Sequence, residues 1–319
     1  MPTSSQKQIT VGFHSTQFSV AEWQDAFDKL SSHTQLNVIN QMTDKCIGDI
    51  NVLLIWKPSV TDWRAAAQLQ HVIYLGASID IEAKPLQLPE GVTIHRLHDA
   101  GMQKAMCDYA EYAVLHYQRR FDLFSQAQKN HEWIVERDYR QRQDIKVSIL
   151  GLGILGSAIA THLQQVGYRV SGWSRSHKSI EGIESFYGLD GFNKCVLNSP
   201  EKYNVIINML PHTKETHHFL NHEKLLLLPK GTAIISLSRG TIIDTNALLK
   251  LLDNGHLRGA FLDVFEEEPL AKDSPLWNHP KVTLTPHQSA PTQIIEAAKE
   301  ITLLLKKSRQ SSLKSAFVR

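Results

Sequence analysis

Cysteine is scarce: the 319 residues contain three, Cys46, Cys107 and Cys195. An odd number, widely separated and without C-x-x-C spacing, excludes a disulfide-stapled scaffold and supplies neither a zinc site nor a redox pair. They read as reduced core thiols, and no metal-ligand set is expected. Charge of one sign is also lacking, because Lys+Arg 34 against Asp+Glu 32 leaves a net +2. So weak an imbalance argues against nucleic acid or an acidic membrane surface as partner. No apolar run approaches the roughly 20 residues of a membrane span, and pieces such as 225–228 stop at Pro229. The opening MPTSSQKQ has no apolar signal stretch, and the closing SAFVR matches no retention or lipidation signal. Cytoplasm is the expectation. Internal repeats and low-complexity tracts are missing too.

What is present is the composition of a globular protein, 42% hydrophobic and 21% charged, long enough for two domains. Short β-branched runs at 9–13, 52–56, 72–75 and 94–97 read as strands, with helical spacing at 20–30 and 61–69 between them. Apolar residues Met102, Met106, Tyr109, Ala113, Leu115 and Phe121 then recur at helical steps and predict one long helix, placed as a bridge between domains. A second series follows, with strands at 145–150, 170–173, 205–210, 233–237, 259–264 and 282–285. Alternation of this kind means crossover units and parallel sheets. The final helical stretch, 292–305, either caps the second sheet or returns to the first domain. The expected division is residues 1–100 plus 290–319 against 101–289, with hinges near Gly101 and Pro291.

The run Gly151-Leu152-Gly153-Ile154-Leu155-Gly156 sits between a predicted strand and a predicted helix. In that setting Gly151 permits the tight turn, Gly153 lets backbone approach a pyrophosphate, and Gly156 lets helix and strand pack closely. The helix amino terminus, beginning with Ile154 and Leu155, offers unpaired N–H groups to phosphates. About 20 residues on, an acidic residue normally takes the adenosine ribose hydroxyls. Here the chain reads Trp173-Ser174-Arg175-Ser176-His177-Lys178. Donors replace the carboxylate, so NADP(H) is preferred and NAD(H) remains possible; the duller reading is a solvated loop.

Three further segments place ionisable groups just beyond predicted strands: LSRG with Arg239, DVFEEEP with Asp263 and Glu268, and TPH with His287. The ligand crevice of an open parallel sheet lies beyond the carboxyl ends of its strands. Each residue has a plainer reading: Arg239 as a strand-end cap, Glu268 as part of a solvated acidic run with Glu266 and Glu267, His287 as one of 16 histidines. Together, in this order with SPLW and the glycine loop, the segments resemble the D-isomer-specific 2-hydroxyacid dehydrogenase family over nearly the whole chain. The WSRSHKS loop, Trp56-Lys57-Pro58 and LGASID bring the resemblance nearest the branch that reduces glyoxylate and hydroxypyruvate.

The resemblance implies an α/β protein of two doubly wound parallel-sheet domains, a Rossmann cofactor domain inserted into a flavodoxin-like substrate domain. It implies a cleft between lobes containing Arg239 and His287, and a homodimer. It gives Arg239 the substrate carboxylate and carbonyl oxygen, His287 the proton donated as hydride arrives, and Glu268 the other ring nitrogen. Asp263 is expected near the nicotinamide carboxamide, and Leu210 and Pro211 among the cofactor contacts. In the first domain Gly76, Ala77 and Ser78 match the loop that grips the carboxylate through backbone N–H groups, although Ser78 stands where the family commonly has glycine. Trp56 walls the substrate pocket or is a core tryptophan. The implied activity is NADPH-dependent reduction of small 2-oxo acids. A cofactor-sensing binding protein of the corepressor type, or a dehydrogenase of another substrate such as phosphoglycerate, remains open at this point.

Overall fold

Side-chain alternation along short buried strands builds two parallel sheets in the computed structural model, which describes residues 9–30, 34–39, 44, 46–76, 85–197 and 203–316. The chain divides into two compact units, Met1–Met102 with Thr292–Arg319, and Gln103–Pro291.

In the first unit, β1 (Val11–Ser15), β2 (Leu36–Val38), β3 (Val52–Trp56), β4 (His71–Tyr74) and β5 (Thr93–Arg96) form a parallel sheet in the order β2-β1-β3-β4-β5. That is the flavodoxin-like winding. The first four residues of both β1 and β3 are buried, as strands covered on both faces require. Helix α1 (Val20–Lys29) buries Trp23, Ala26 and Phe27, one face at helical spacing. The expected helix at 61–69 does not form. Instead Ala66 N–H bonds to Trp63 O and Leu69 N–H to Ala66 O, two successive three-residue turns. These turns bury Trp63, Ala66 and Leu69 against the strands. A spacing of three serves such turns as well as it serves a helix, which is how the pattern misleads. The carboxy-terminal helix α8 (Ile294–Ala316) returns to this unit: Thr292 Oγ1 donates to Leu75 O at 3.0 Å, and Glu300 accepts the His98 N–H at 2.6 Å.

The second unit holds β6 (Ile145–Leu150), β7 (Arg169–Ser174), β8 (Glu184–Tyr187), β9 (Tyr203–Asn208), β10 (Thr232–Ser236), β11 (Leu257–Leu262) and β12 (Val282–Leu284). Their order is β12-β11-β10-β9-β6-β7-β8, all parallel. The sheet runs outward in both directions from β6, the doubly wound Rossmann arrangement. Val205, Ile207, Ala233 and Ile235 face one core with α2 (Met102–Gln118) and α4 (Ile154–Gln165). Ile206 and Ile234 face the other with α5 (Gly188–Leu197) and α7 (Thr245–Asp253). Between these two helices lies the short α6 (His222–Leu227). The single long helix expected through Phe121 is two: Arg120, at φ 64, ends the run, and α3 (Phe121–Lys129) begins afresh. β2 and β8 went unpredicted, β2 being only three residues long and β8 lacking a fully buried residue.

Candidate active site

Sheet order places the candidate residues along one edge of the second unit. Moving across the carboxyl ends from β12 to β7, the following residues are His287, Asp263, Arg239, Leu210, the glycine loop and Ser174. Residues from six separate stretches of sequence therefore share one edge, with neighbouring strands about 4.8 Å apart.

At the glycine loop, Gly151 has φ +105, and a Cβ on Gly156 would fall 1.9 Å from Gly151 O. No side chain can stand there, so α4 starts directly against the strand end. Its N-cap is Gly153, without a side-chain cap, and a Cβ on Gly153 would meet nothing within 4 Å. Open space before an uncapped helix terminus fits a pyrophosphate. Ile154 is exposed and Leu155 half-buried beside it. Next to this loop, Leu210 is buried, its N–H bonded to Asn208 Oδ1, while Pro211 is exposed.

At the end of β7, Trp173 anchors the loop: its Nε1 donates to Gly188 O at 2.7 Å, and its ring stacks on Phe219 at 5.2 Å. Ser174 is buried and donates its hydroxyl proton to Ser176 O at 2.7 Å, closing the turn. Arg175, Ser176, His177 and Lys178 stay exposed. A neighbour absent from the local sequence appears here. The Glu215 carboxyl is held below the ordinary range by its hydrogen bond to Thr213, by its own backbone, and by the positive charges of Arg175 and Lys214.

The other half of the edge is organised by Asp263, fully buried at the end of β11. Its Oδ1 accepts from Thr285 Oγ1 at 2.7 Å, Gln288 N at 2.8 Å and Tyr109 OH at 3.2 Å; its Oδ2 accepts from Ser289 N at 2.8 Å. The backbone joins in, His287 N–H donating to Asp263 O at 2.8 Å. His287 itself has φ 54, a left-handed conformation that a non-glycine residue keeps only when its surroundings enforce it. Asp263 is that enforcement. Its partners Tyr109 and Thr285 were missed from sequence; burial first, and the adjacent Asp263 charge, push the Tyr109 hydroxyl up to about 12.

So held, His287 Nδ1 lies 2.8 Å from Glu268 Oε2, with both side chains partly exposed. Glu268 Oε1 accepts the Phe265 N–H at 3.1 Å, which fixes the carboxylate on its own loop. Arg239 is half-buried just past β10, its Nη1 donating to Ser238 O at 2.7 Å. Its segment runs hard against the Glu268 loop, since a Cβ on Gly240 would lie 1.9 Å from the Phe265 carbonyl carbon.

In the first unit, Trp56 ends β3 half-buried, stacked on Phe18 at 5.9 Å and donating Nε1 to Gln17 Oε1 at 3.2 Å. Gly76 is buried after β4, and a Cβ there would strike the Trp56 indole at 2.4 Å. Trp56 therefore lies against the loop backbone, at a strand end, and is not a sealed core residue. Ala77 and Ser78 fall outside the described residues.

Residues 112–289 match the description of the D-isomer specific 2-hydroxyacid dehydrogenase, NAD binding domain. The chain is 37% identical over 293 residues, 89% of its length and 90% of the relative's, to glyoxylate/hydroxypyruvate reductase A of Salmonella typhi. The chain belongs to the D-isomer specific 2-hydroxyacid dehydrogenase family. Membership makes it an oxidoreductase acting on a CH–OH group. Solved members agree in fold. A dehydrogenase of this family from Xanthobacter autotrophicus Py2, in complex with NADPH and MES, superposes with a TM-score of 0.86 at 33% identity, covering 95% of both chains. NADPH-dependent glyoxylate/hydroxypyruvate reductase from Sinorhizobium meliloti, with NADP and sulfate, gives 0.83 at 26% identity over 96% of each.

Proposed function

We propose that this dehydrogenase reduces small 2-oxo acids, glyoxylate and hydroxypyruvate foremost, to glycolate and D-glycerate, with NADPH preferred to NADH. The observation that carries the reading is the His287–Glu268 pair at 2.8 Å, set on the same sheet edge as Arg239 and an uncapped glycine loop. The names of its relatives support the substrate class.

The glycine loop and Leu210–Pro211 hold the dinucleotide, and the bound nicotinamide supplies the hydride. Arg239 orients the oxo acid and stabilises charge growing on its carbonyl oxygen, a task for a forked guanidinium. As the C=O π bond opens, its electron pair moves to that oxygen, and His287 gives it a proton from Nε2. Glu268, on Nδ1, fixes the orientation of the ring. Asp263 acts by positioning His287. Arg175 and Ser176, with His177 and Lys178 nearby, receive the 2'-phosphate. Ser174, its proton already donated within the turn, shapes that loop. The unit of residues 1–100 plus 290–319 handles the oxo acid, through the loop from Gly76 to Ser78 and the Trp56 wall, and 101–289 the cofactor.

The working form is a homodimer in the cytoplasm. The three free cysteines suit a reducing compartment, and among the described residues no helix is long and apolar enough to cross a membrane. Apolar side chains after α3 support association: Trp133 is 96% exposed, Val135 72% and Tyr139 69%. An NADPH-oxidation panel of glyoxylate, hydroxypyruvate, pyruvate and phenylpyruvate tests the assignment. Turnover highest with the first two supports it; cofactor binding without turnover of any would favour the sensing role.

A further inference from the structure

His217 and His218 are adjacent in sequence, yet their rings lie stacked, 4.1 Å between centroids and 27° between planes. The cause is backbone: His218 has φ 47, and its N–H is tied to Thr241 O at 2.8 Å. A turn closed by hydrogen bonds between Thr213 and Thr216 precedes them, with His217 N–H on Thr213 O at 3.0 Å. Both Nε2 atoms face one carboxylate on a different loop. His218 Nε2 is 3.3 Å from Glu266 Oε1 and 3.4 Å from Oε2, and His217 Nε2 is 3.6 Å from Oε1.

These separations are long for charge-assisted hydrogen bonds, which run about 2.7–2.9 Å. Pairing both rings with Glu266 as ions would also stack two like charges face to face. Ligand atoms around a tetrahedral zinc, each about 2.0–2.2 Å from the metal, are spaced about 3.4 Å apart, close to the separation of each ring nitrogen from the carboxylate. The three donor atoms all lie within 4.8 Å of one another. Two imidazoles and a carboxylate, with a fourth position left to water, suit a borderline first-row cation and not magnesium or calcium.

We propose that His217, His218 and Glu266 form a zinc-class divalent metal site, separate from the substrate and cofactor residues assigned above. Occupancy joins the turn after β9 to the loop after β11, the loop that also bears Glu268. Full-length protein stripped by chelator is titrated with Zn²⁺ by equilibrium dialysis at about pH 7.5, alongside the double variant His217→Ala/His218→Ala and Glu266→Gln. The parent is expected to bind one zinc per chain in the micromolar range, with affinity about tenfold or more lower in the double variant. Zinc should raise the thermal midpoint of the parent and leave that of the double variant unmoved, since the site exists only in the folded chain. Metal-free turnover should be equal in both, showing that the variant is folded. With 16 histidines in the chain, the double variant is the deciding control. No saturable binding by the parent, or equal binding and equal stabilisation in the double variant, overturns the site.

Discussion

Asp263 is the residue on which this end of the sheet edge hangs, because four donors, one from α2 and three from the segment 285–289, end on one buried carboxylate. Asp263→Asn would turn an NH₂ group towards at least one donor. The expected cost is about 1–3 kcal/mol, the penalty of an unsatisfied buried polar group. Urea unfolding reads the loss, and turnover should fall with it because His287 is released from its left-handed geometry. At the cofactor end, Arg175→Ala should lower the ratio of kcat/KM for NADPH over NADH about tenfold, the worth of one charge-assisted contact. Glu215→Gln should raise that ratio a few-fold, since it removes the carboxylate beside Arg175. Both effects belong to exposed charges and should shrink in high salt. An unchanged ratio in Arg175→Ala would show the loop to be solvated and uninvolved. Asp263, Glu268 and His287 could be singled out in sequence because each lies in a motif that follows a strand. Tyr109 and Glu215 were not: Tyr109 reads in sequence only as one apolar step of a helix, with nothing to show that its hydroxyl reaches Asp263, and Glu215 comes from a distant turn outside any motif.

At the level of elements, β4 and β5 bring His71 and His95 side by side, Nε2 of His95 lying 3.2 Å from Nδ1 of His71. Burial lowers both from the ordinary 6.5, and the positive charge of His95 lowers His71 further. The folded chain thus prefers both rings neutral, while the unfolded chain takes up protons sooner. Stability from this pair is complete above about 6.5 and is lost as the pH falls below it. The thermal midpoint should therefore drop between about pH 7.5 and 5.5, and drop less in His71→Gln/His95→Gln. An identical drop in that variant would show that the pair does not set the pH dependence. Strands were the most readable part of the fold, since 52–56 is an unbroken apolar run and 145–150, although it carries Lys146 and Ser148, has an apolar residue at its other four positions and is buried along its whole length. Segment 61–69 was misread because its burial interval of three suits successive turns, and the break at Arg120 was hidden because apolar spacing continues across it.

For the molecule as a whole, the exposed apolar side chains Trp133, Ile134, Val135 and Tyr139 are expected to be covered by a second copy. Light scattering should give twice the chain mass, and Trp133→Asp with Val135→Asp should shift it towards the monomer; a parent that is monomeric at micromolar concentration contradicts the dimer. In the proposed reaction one histidine, His287, fixed by Asp263 and Glu268, delivers the proton for oxo-acid reduction. Its most direct test is steady-state NADPH oxidation with glyoxylate in the parent and in His287→Ala, with NADPH affinity measured separately by fluorescence titration. The expected result is a fall in kcat on the order of a hundredfold or more with NADPH affinity nearly unchanged. A variant that turns over within a few-fold of the parent would contradict it.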